Sequence, residues 1–459
     1  MAPSPADWRD TLVRRLDARW NEIRRFDDYY EGRQELAYAT QKFRESYGGL
    51  FTALSDNWCQ IVVDASVERL RVQGFRFGKQ EDADEDAWRI WQANNLDGQS
   101  NMLHTEAVKL SEAYWMVQPN KDTPRITAEH PSQVIVECDP SDRRKRIAAL
   151  KKWRGSDGRT YANVYLPSAC HKYVTRREPF VAADTIIGTT KWESLGMVPN
   201  KLGVVPIIPA PNNPSMIHGG RSDLDGGVLT IQDAINKLCA DLLVGSESTA
   251  FRQRILMGVD QPKDPATGRP IPIDQAEGRA IASKVLMIPG KDAKAVEFGE
   301  TDLRIIRDAI DGLVRDLTAQ TRTPPHYVAG QIVNASGDAL KAAETGLVSK
   351  VRDKMDPFGE AHEEAMRLAF RAIDPDDPRA EATDAETIWR DPESRTEGET
   401  VDAAIKLRGL LPDEMIMERI GLSPQEIERA MTARAAQALI APPPVTEPDA
   451  AQPTQPPAN

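Results

Sequence analysis

Apolar residues recur at two different periods along this chain, and the changes of period divide it. Over 7–31, Leu12, Leu16, Trp20, Ile23 and Tyr30 share one helix face, and Gly32 is placed to stop it. Trp58, Ile61, Val62, Ala65 and Arg69 give a second helix over 55–70. A strand over 71–77, a short helix carrying Trp88 and Trp91, a helix over about 99–112 and a strand over 113–117 follow. From 114 to 210 the texture is β, with strands predicted over 125–129, 133–138, 147–154, 161–166, 171–175 and 204–209. The Pro-, Asn- and Gly-rich stretch 209–226 predicts a loop, with Ser222 or Asp223 capping the helix that comes next.

That helix carries a narrow stripe: Val228, Ile231, Ile235, Leu238 and Leu242, in steps of three and four. A second stripe of the same kind runs Leu303, Ile306, Ile310, Leu313, Leu317. Between them lie Pro262, Pro265, Pro270, Pro272 and Pro289, which no helix interior tolerates. The pattern is helix, compact β-rich insert, helix back. Each seam is too narrow to make a core alone, so the hairpin needs neighbours.

Pro324 and Pro325 end the second stripe, and a loop of small residues with an Asn334-Ala335-Ser336 tip leads on. Ser336 is placed to cap a long helix over about 337–373, with Leu340, Leu347, Val351, Met355, Phe358, Ala361, Ala365 and Leu368 on its seam. Pro357 lies inside it and predicts a kink near 355–357. A strand over 387–389, three short helices near 396–408, 412–420 and 423–439, and a proline-rich tail predicted to be disordered complete the chain.

Composition changes this picture little. Of 459 residues, 40% are hydrophobic and 28% charged, as in ordinary globular proteins. No apolar run is long enough for a membrane span, and the start MAPSPADWRD does not read as a signal peptide, so an intracellular or particle-borne protein is expected. A net charge of −12 argues against tight general DNA binding, though not against DNA passing a wall that repels it. The arginines of the first helix (Arg14, Arg15, Arg19, Arg24, Arg25) read as a solvated face paired with nearby acids. Cys59, Cys138, Cys170 and Cys239 are far apart and predict free thiols.

Candidate chemistry is thin. No phosphate-cradling GxxxxGK[ST] is present, His362-Glu363-Glu364 lacks the second histidine of a zinc helix, and the six histidines show no ligand spacing. No catalytic residue, metal site or cofactor is expected. The acidic clusters at 81–86 and 374–377 are the best remaining places for a divalent cation.

The order of features resembles the portal proteins of long-tailed, double-stranded-DNA bacteriophages. RFDDYYEGRQ (25–34), NWCQIVVDASVERLRVQGF (57–75), AVKLSEAYWMV (107–117), HPSQVIVECDP (130–140), DGGVLTIQDAINKL (225–238), TRTPPHYVAG, NASGDALKAAETG and WRDPESRTEGETVDAAIKL (389–407) carry the likeness. The resemblance implies an α+β, multi-domain ring subunit. Its parts would be a wing (1–221, with 337–395 returning to it), stem helices (222–250 and 301–322), a clip (251–300), a tunnel loop (323–336), a helical crown (396–440) and a tail (441–459). It implies a dodecameric ring at one capsid vertex through which DNA enters and leaves. Expected partners are double-stranded DNA, the terminase, the head–tail connector or adaptor, and the major capsid and scaffold proteins. The expected place is the virion, and the host cytoplasm during assembly. Gln331, Ile332, Val333, Asn334, Ala335 and Ser336 become the candidates to face DNA. The competing readings are a metal-dependent nuclease or hydrolase built on the acidic clusters, and another virion or scaffold protein whose heptads serve a simple dimer or trimer.

Overall fold

The computed structural model describes residues 3–37, 56–78, 83–120, 123–176, 191–217, 219–250, 302–329, 337–393, 397–422 and 424–440, with short pieces between 254 and 297. The chain opens with α1 (Pro5–Ala18) and α2 (Trp20–Tyr30), then α3 (Trp58–Val67), β1 (Val72–Arg76), α4 (Glu85–Ala93) and α5 (Leu96–Leu110). Eight strands follow: β2 (Glu112–Gln118), β3 (Arg125–Glu129), β4 (Val134–Asp139), β5 (Asp142–Arg154), β6 (Thr160–Tyr165), β7 (Ala169–Thr175), β8 (Trp192–Pro199) and β9 (Ile207–Pro211). Then come α6 (Val228–Ala250), the short strands β10 (Arg254–Met257), β11 (Val285–Ile288) and β12 (Lys294–Glu297), α7 (Leu303–Thr321), α8 (Pro325–Ala329) and α9 (Gly337–Ile373). The chain closes on β13 (Glu386–Trp389), α10 (Glu397–Leu407), α11 (Asp413–Arg419) and α12 (Pro424–Ile440). The fold is α+β, as expected. No helix among the described residues is long and apolar enough to cross a membrane.

The single helix expected over 7–31 is two helices, broken at Arg19. The break lets one segment serve two cores. Leu12 and Leu16 pack on the antiparallel sheet β4-β5-β6-β7-β8, beside Leu150, Val164 and Tyr173. Ile23, Phe26 and Tyr29 turn instead to the main core. Arg19 is held there by Glu112 at 2.6 Å and by the Tyr114 hydroxyl at 3.3 Å. Trp20, placed on the apolar face from sequence, sits at the break and is 51% exposed.

The β block has one strand more than its pattern predicted. Nearly all of β8 is exposed, so it shows no alternation, and only its antiparallel pairing with β7 makes it a strand. The predicted 204–209 strand is β9, shifted toward the C-terminus. It runs to Pro211 because it pairs with β2 alone, and an edge strand accommodates proline.

The long helix matches its expected range. Leu347, Val351, Met355, Phe358, Ala361, Ala365 and Leu368 are all buried in the main core, which β2, β9, α3, α4 and α5 complete. Pro357 lies inside α9, where its ring removes the N–H that would bond the Asp353 carbonyl.

Candidate functional site

The two heptad helices pack on each other as an antiparallel hairpin. Gly227 lies near Gln320 at one end, and Gly245 faces Leu303 at the other so closely that a Cβ would stand 2.8 Å from a leucine methyl. In the seams, Val228, Ile235, Ile310 and Leu317 are buried, whereas Ile231, Leu238, Leu242, Leu303, Ile306 and Leu313 are half-buried. Ile305, beside the second seam, is 68% exposed. The buried face of α6 is also broader and more polar than a leucine stripe, because it includes Leu229, Gln232, Asn236 and Ala240. Gln232 docks the helix: its Nε2 donates to the Asp56 carbonyl at 2.6 Å, and its Oε1 accepts from the Trp58 N–H at 3.0 Å. The Tyr29 hydroxyl donates to Asp233 at 2.7 Å.

Neither Ser222 nor Asp223 caps α6, which starts later, at Val228. Ser222 donates to the Lys109 carbonyl at 2.6 Å. Asp223 is the centre of a buried polar cluster at the root of the hairpin. Its Oδ1 meets Lys354 Nζ at 2.7 Å and its Oδ2 meets Lys350 Nζ at 2.7 Å. Asn212 and Asn213 donate to it at 2.9 and 2.8 Å. Burial pushes the Asp223 carboxyl up, but Lys350 and Lys354 outweigh it and hold it well below the usual carboxylate range. Burial also pulls Lys354 down to about 8, against the pull of Asp223. Sequence reading missed this cluster because its members lie 131 residues apart, although lysines four apart on an otherwise apolar helix seam are the signal it leaves.

A second junction surrounds Arg69. Its guanidinium donates to the Pro392 carbonyl at 2.7 Å and the Tyr327 hydroxyl at 2.9 Å, and pairs with Glu344 at 3.2 Å. The end of α3, α8 and the start of α9 are thus tied at one side chain. Residues 325–329, expected as loop, form the short helix α8 with Pro325 at its start, where a missing N–H costs nothing. Gln331, Ile332, Val333, Asn334, Ala335 and Ser336 lie outside the described residues, as does most of the 251–300 insert. Within that insert, β10 pairs parallel with β11 and antiparallel with β12.

The two acidic clusters do come together, but around a cation the chain itself supplies. Arg379 Nη1 lies 3.0 Å from Asp84 and 3.1 Å from Asp86, and Nη2 lies 2.9 Å from Asp377. The Asp377 bond, ahead of those to Asp84 and Asp86, holds the guanidinium firmly protonated. Asp84 also caps α4, accepting the Ala87 N–H at 2.8 Å. These carboxylates are spent on a guanidinium and a helix end. Among the described residues, no group of three or more His, Cys, Asp and Glu is arranged to hold a metal. All four cysteines are free. On the first helices, Arg24 pairs with the nearby Asp28 as expected, whereas Arg15 and Arg19 pair instead with the distant Glu137 and Glu112.

A buried histidine pair was not legible either. Trp115 Nε1–H donates to His362 Nδ1 at 2.9 Å, so neutral His362 carries its proton on Nε2. That proton points at His104 Nε2, 3.0 Å away, and leaves His104 Nδ1–H facing the main chain at Leu70. Trp91, Phe358 and Trp389 enclose the pair. Burial pushes His362 down to about 3 and, with His362 beside it, pushes His104 well below its ordinary value. With no open face, this is a closed core network.

A half-buried helical hairpin rooted in a closed core is the arrangement to compare with known proteins. The family described as phage portal protein, SPP1 Gp6-like, matches residues 10–438. The portal protein of Mycobacterium phage D29 is 29% identical over 444 residues, covering 92% of this chain and 87% of that one. The portal protein of Mycobacterium phage L5 is 29% identical over 390 residues, covering 80% of this chain and 76% of that one. A chain from the solved neck of a native GTA particle, computed with C12 symmetry, covers 84% of this chain and 95% of its own length at 11% identity and a TM-score of 0.43. The chain described above belongs to the SPP1 Gp6-like family of phage portal proteins.

Proposed function

We propose that this portal-family chain closes into a dodecameric ring at one capsid vertex, and that the ring's axis is the channel for DNA packaging and ejection. The incomplete burial of the α6–α7 hairpin carries this reading. Its seam is closed at Val228, Ile235, Ile310 and Leu317 and only half-buried at its other six positions, among them Leu303 and Leu242 at the far end, so a neighbour's hairpin would complete it. About a dozen helices spaced roughly 10 Å apart would leave a bore on the order of 25–30 Å, wide enough for a duplex. The exposed face of α7 alternates Arg304, Arg307, Asp308, Asp311, Arg315 and Asp316, which suits pairing between subunits or a mixed wall.

On this reading 222–250 and 301–322 are the stem, 251–300 the clip, 323–336 the tunnel loop, 396–440 the crown, and 1–221 with 337–395 the wing. Gln331 to Ser336 would offer short, neutral side chains to passing DNA, and Pro357 would set the course of α9 as subunits shift. The terminase would bring ATP hydrolysis and dock on the clip, and the head–tail connector would follow it there. The ring would meet scaffold and major capsid proteins in the host cytoplasm during assembly. No chemistry of its own is assigned to the chain.

Electron microscopy and native mass spectrometry of the purified full chain test this. Rings of twelve are expected, and a protein that stays monomeric at high concentration overturns it.

A further inference from the structure

We propose that Lys350 is the positioning residue that fixes the angle between the α6–α7 hairpin and the long helix α9, because its one ammonium grips both roots of the hairpin. Lys350 Nζ donates to the carbonyl of Thr321, the last residue of α7, at 3.0 Å. The same nitrogen pairs with Asp223 Oδ2 at 2.7 Å, just ahead of α6. The Lys350 side chain is 14% exposed and that of Asp223 1%, so water competes little for the hydrogen bond to Thr321 or for the ion pair with Asp223.

Asp223 is itself immobilised from other directions. Its N–H donates to the Val108 carbonyl at 3.0 Å, and Lys354, one turn along α9, holds its other oxygen and Asn212 Oδ1 at 2.6 Å. The root of α6 is therefore fixed to α5, to the end of β9 and to α9. The end of α7 has a different situation. Thr321 and Thr323 bond each other, and Arg322 sits in the left-handed region at φ 56° as the helix stops. Arg322 reaches Asp353 of α9 only at 3.9 Å and in the open, a contact of little weight. A cation on the terminal carbonyl of α7 also meets the negative end of that helix. Lys350 thus joins the end of α7, otherwise held by the packing of Leu317, Thr318, Thr321 and Thr323, to the polar cluster at the root of α6. Gly245 against Leu303 keeps the two helices close further out, so a change of angle at the end of α7 is shared with α6.

The leverage is simple. The 19 residues of α7 span about 28 Å, so a 5° change at the root moves the far end by about 2–3 Å. The consequence for a channel wall rests on the ring proposed above, whereas the joint is a property of one subunit.

Spin labels at Ile305→Cys and Ile373→Cys, both exposed sites toward the far ends of α7 and α9, read the angle directly. The full chain is used with Cys138, Cys170 and Cys239 changed to serine. Cys59 is buried, with its thiol pushed up to about 12, and stays unlabelled. Labelled chains are diluted in unlabelled ones so that each distance lies within a subunit. Lys350→Met is expected to widen the distance distribution at least twofold, while Asp353→Asn, which removes only the exposed pair, leaves it narrow. If Lys350→Met does not fold, Lys350→Gln is read in the same way. An unchanged mean and width in the Lys350 variant overturns the joint. Widening in a protein that forms no rings upholds the joint and removes the ring.

Discussion

The long helix α9 and the hairpin helices α6 and α7 carry similar apolar spacing and meet different fates. On α9 the seam from Leu347 to Leu368 is closed by the chain's own strands and helices. On the hairpin, the same kind of seam is buried at Leu317 and Val228 and only half covered at Leu303 and Leu242. Periodicity says that a face will be covered; it does not say by whom. Where one chain runs out of cover, the shortfall itself points to a neighbour.

The sharpest way to break the comparison is to weaken both seams and measure stability and assembly separately. Phe358→Ala, in the closed region, is expected to cost about 3–5 kcal/mol in urea denaturation, because the side chain is fully buried and its surroundings are packed. Ring closure should fall only as the fold fails.

Acid should find the closed region next. His104 and His362 are neutral in the fold with depressed pKa values, so the unfolded chain binds more protons below about 6.5. Their contribution is complete above that pH and is lost progressively as pH falls below 6.5, for His362 down to about 3. Stability from urea midpoints between pH 7.5 and 4.5 should drop by up to about 1.4 kcal/mol per pH unit for each histidine below 6.5. His104→Leu should reduce that slope by one such share.

Asp84→Ala removes a helix cap and one partner of Arg379, and is expected to cost about 1–2 kcal/mol by thermal unfolding. A loss of metal-dependent DNA cleavage in the same variant would revive the nuclease reading. Smallest for the isolated subunit is Leu313→Ala, at about 1 kcal/mol, because the side chain is already half exposed. Its effect on ring yield by native mass spectrometry should be the largest of the four. If it leaves rings untouched, the seam is not an interface.

Local patterns were legible where a face is regular and its cover continuous. The seam of α9, the start of β2 and the stop at Gly32 follow directly from spacing and backbone chemistry, whereas α7 stops at Arg322, ahead of the prolines, and Pro325 starts α8. What escaped was set by distant partners. The strand β8 exists only through its pairing with β7, and the helix break at Arg19 falls where its side chain meets the distant Glu112 and Tyr114. Gln232 reads as the polar side of α6 until Trp58 and Asp56 are brought to it. Asp223 has the chemistry of a cap but is claimed by two lysines from α9. The acidic clusters stand out as concentrated charge, but a single arginine, unremarkable in sequence, takes up Asp84, Asp86 and Asp377.

The chain of bonds from Trp115 through His362 to His104 has a direction. Each donor faces one acceptor, so reversing the order would leave the indole N–H aimed at another hydrogen. The indole, which can only donate, therefore fixes the proton positions of both imidazoles behind it. Two imidazoles of opposite tautomer, protonated on Nε2 in His362 and on Nδ1 in His104, would report that order as two distinct nitrogen resonance pairs.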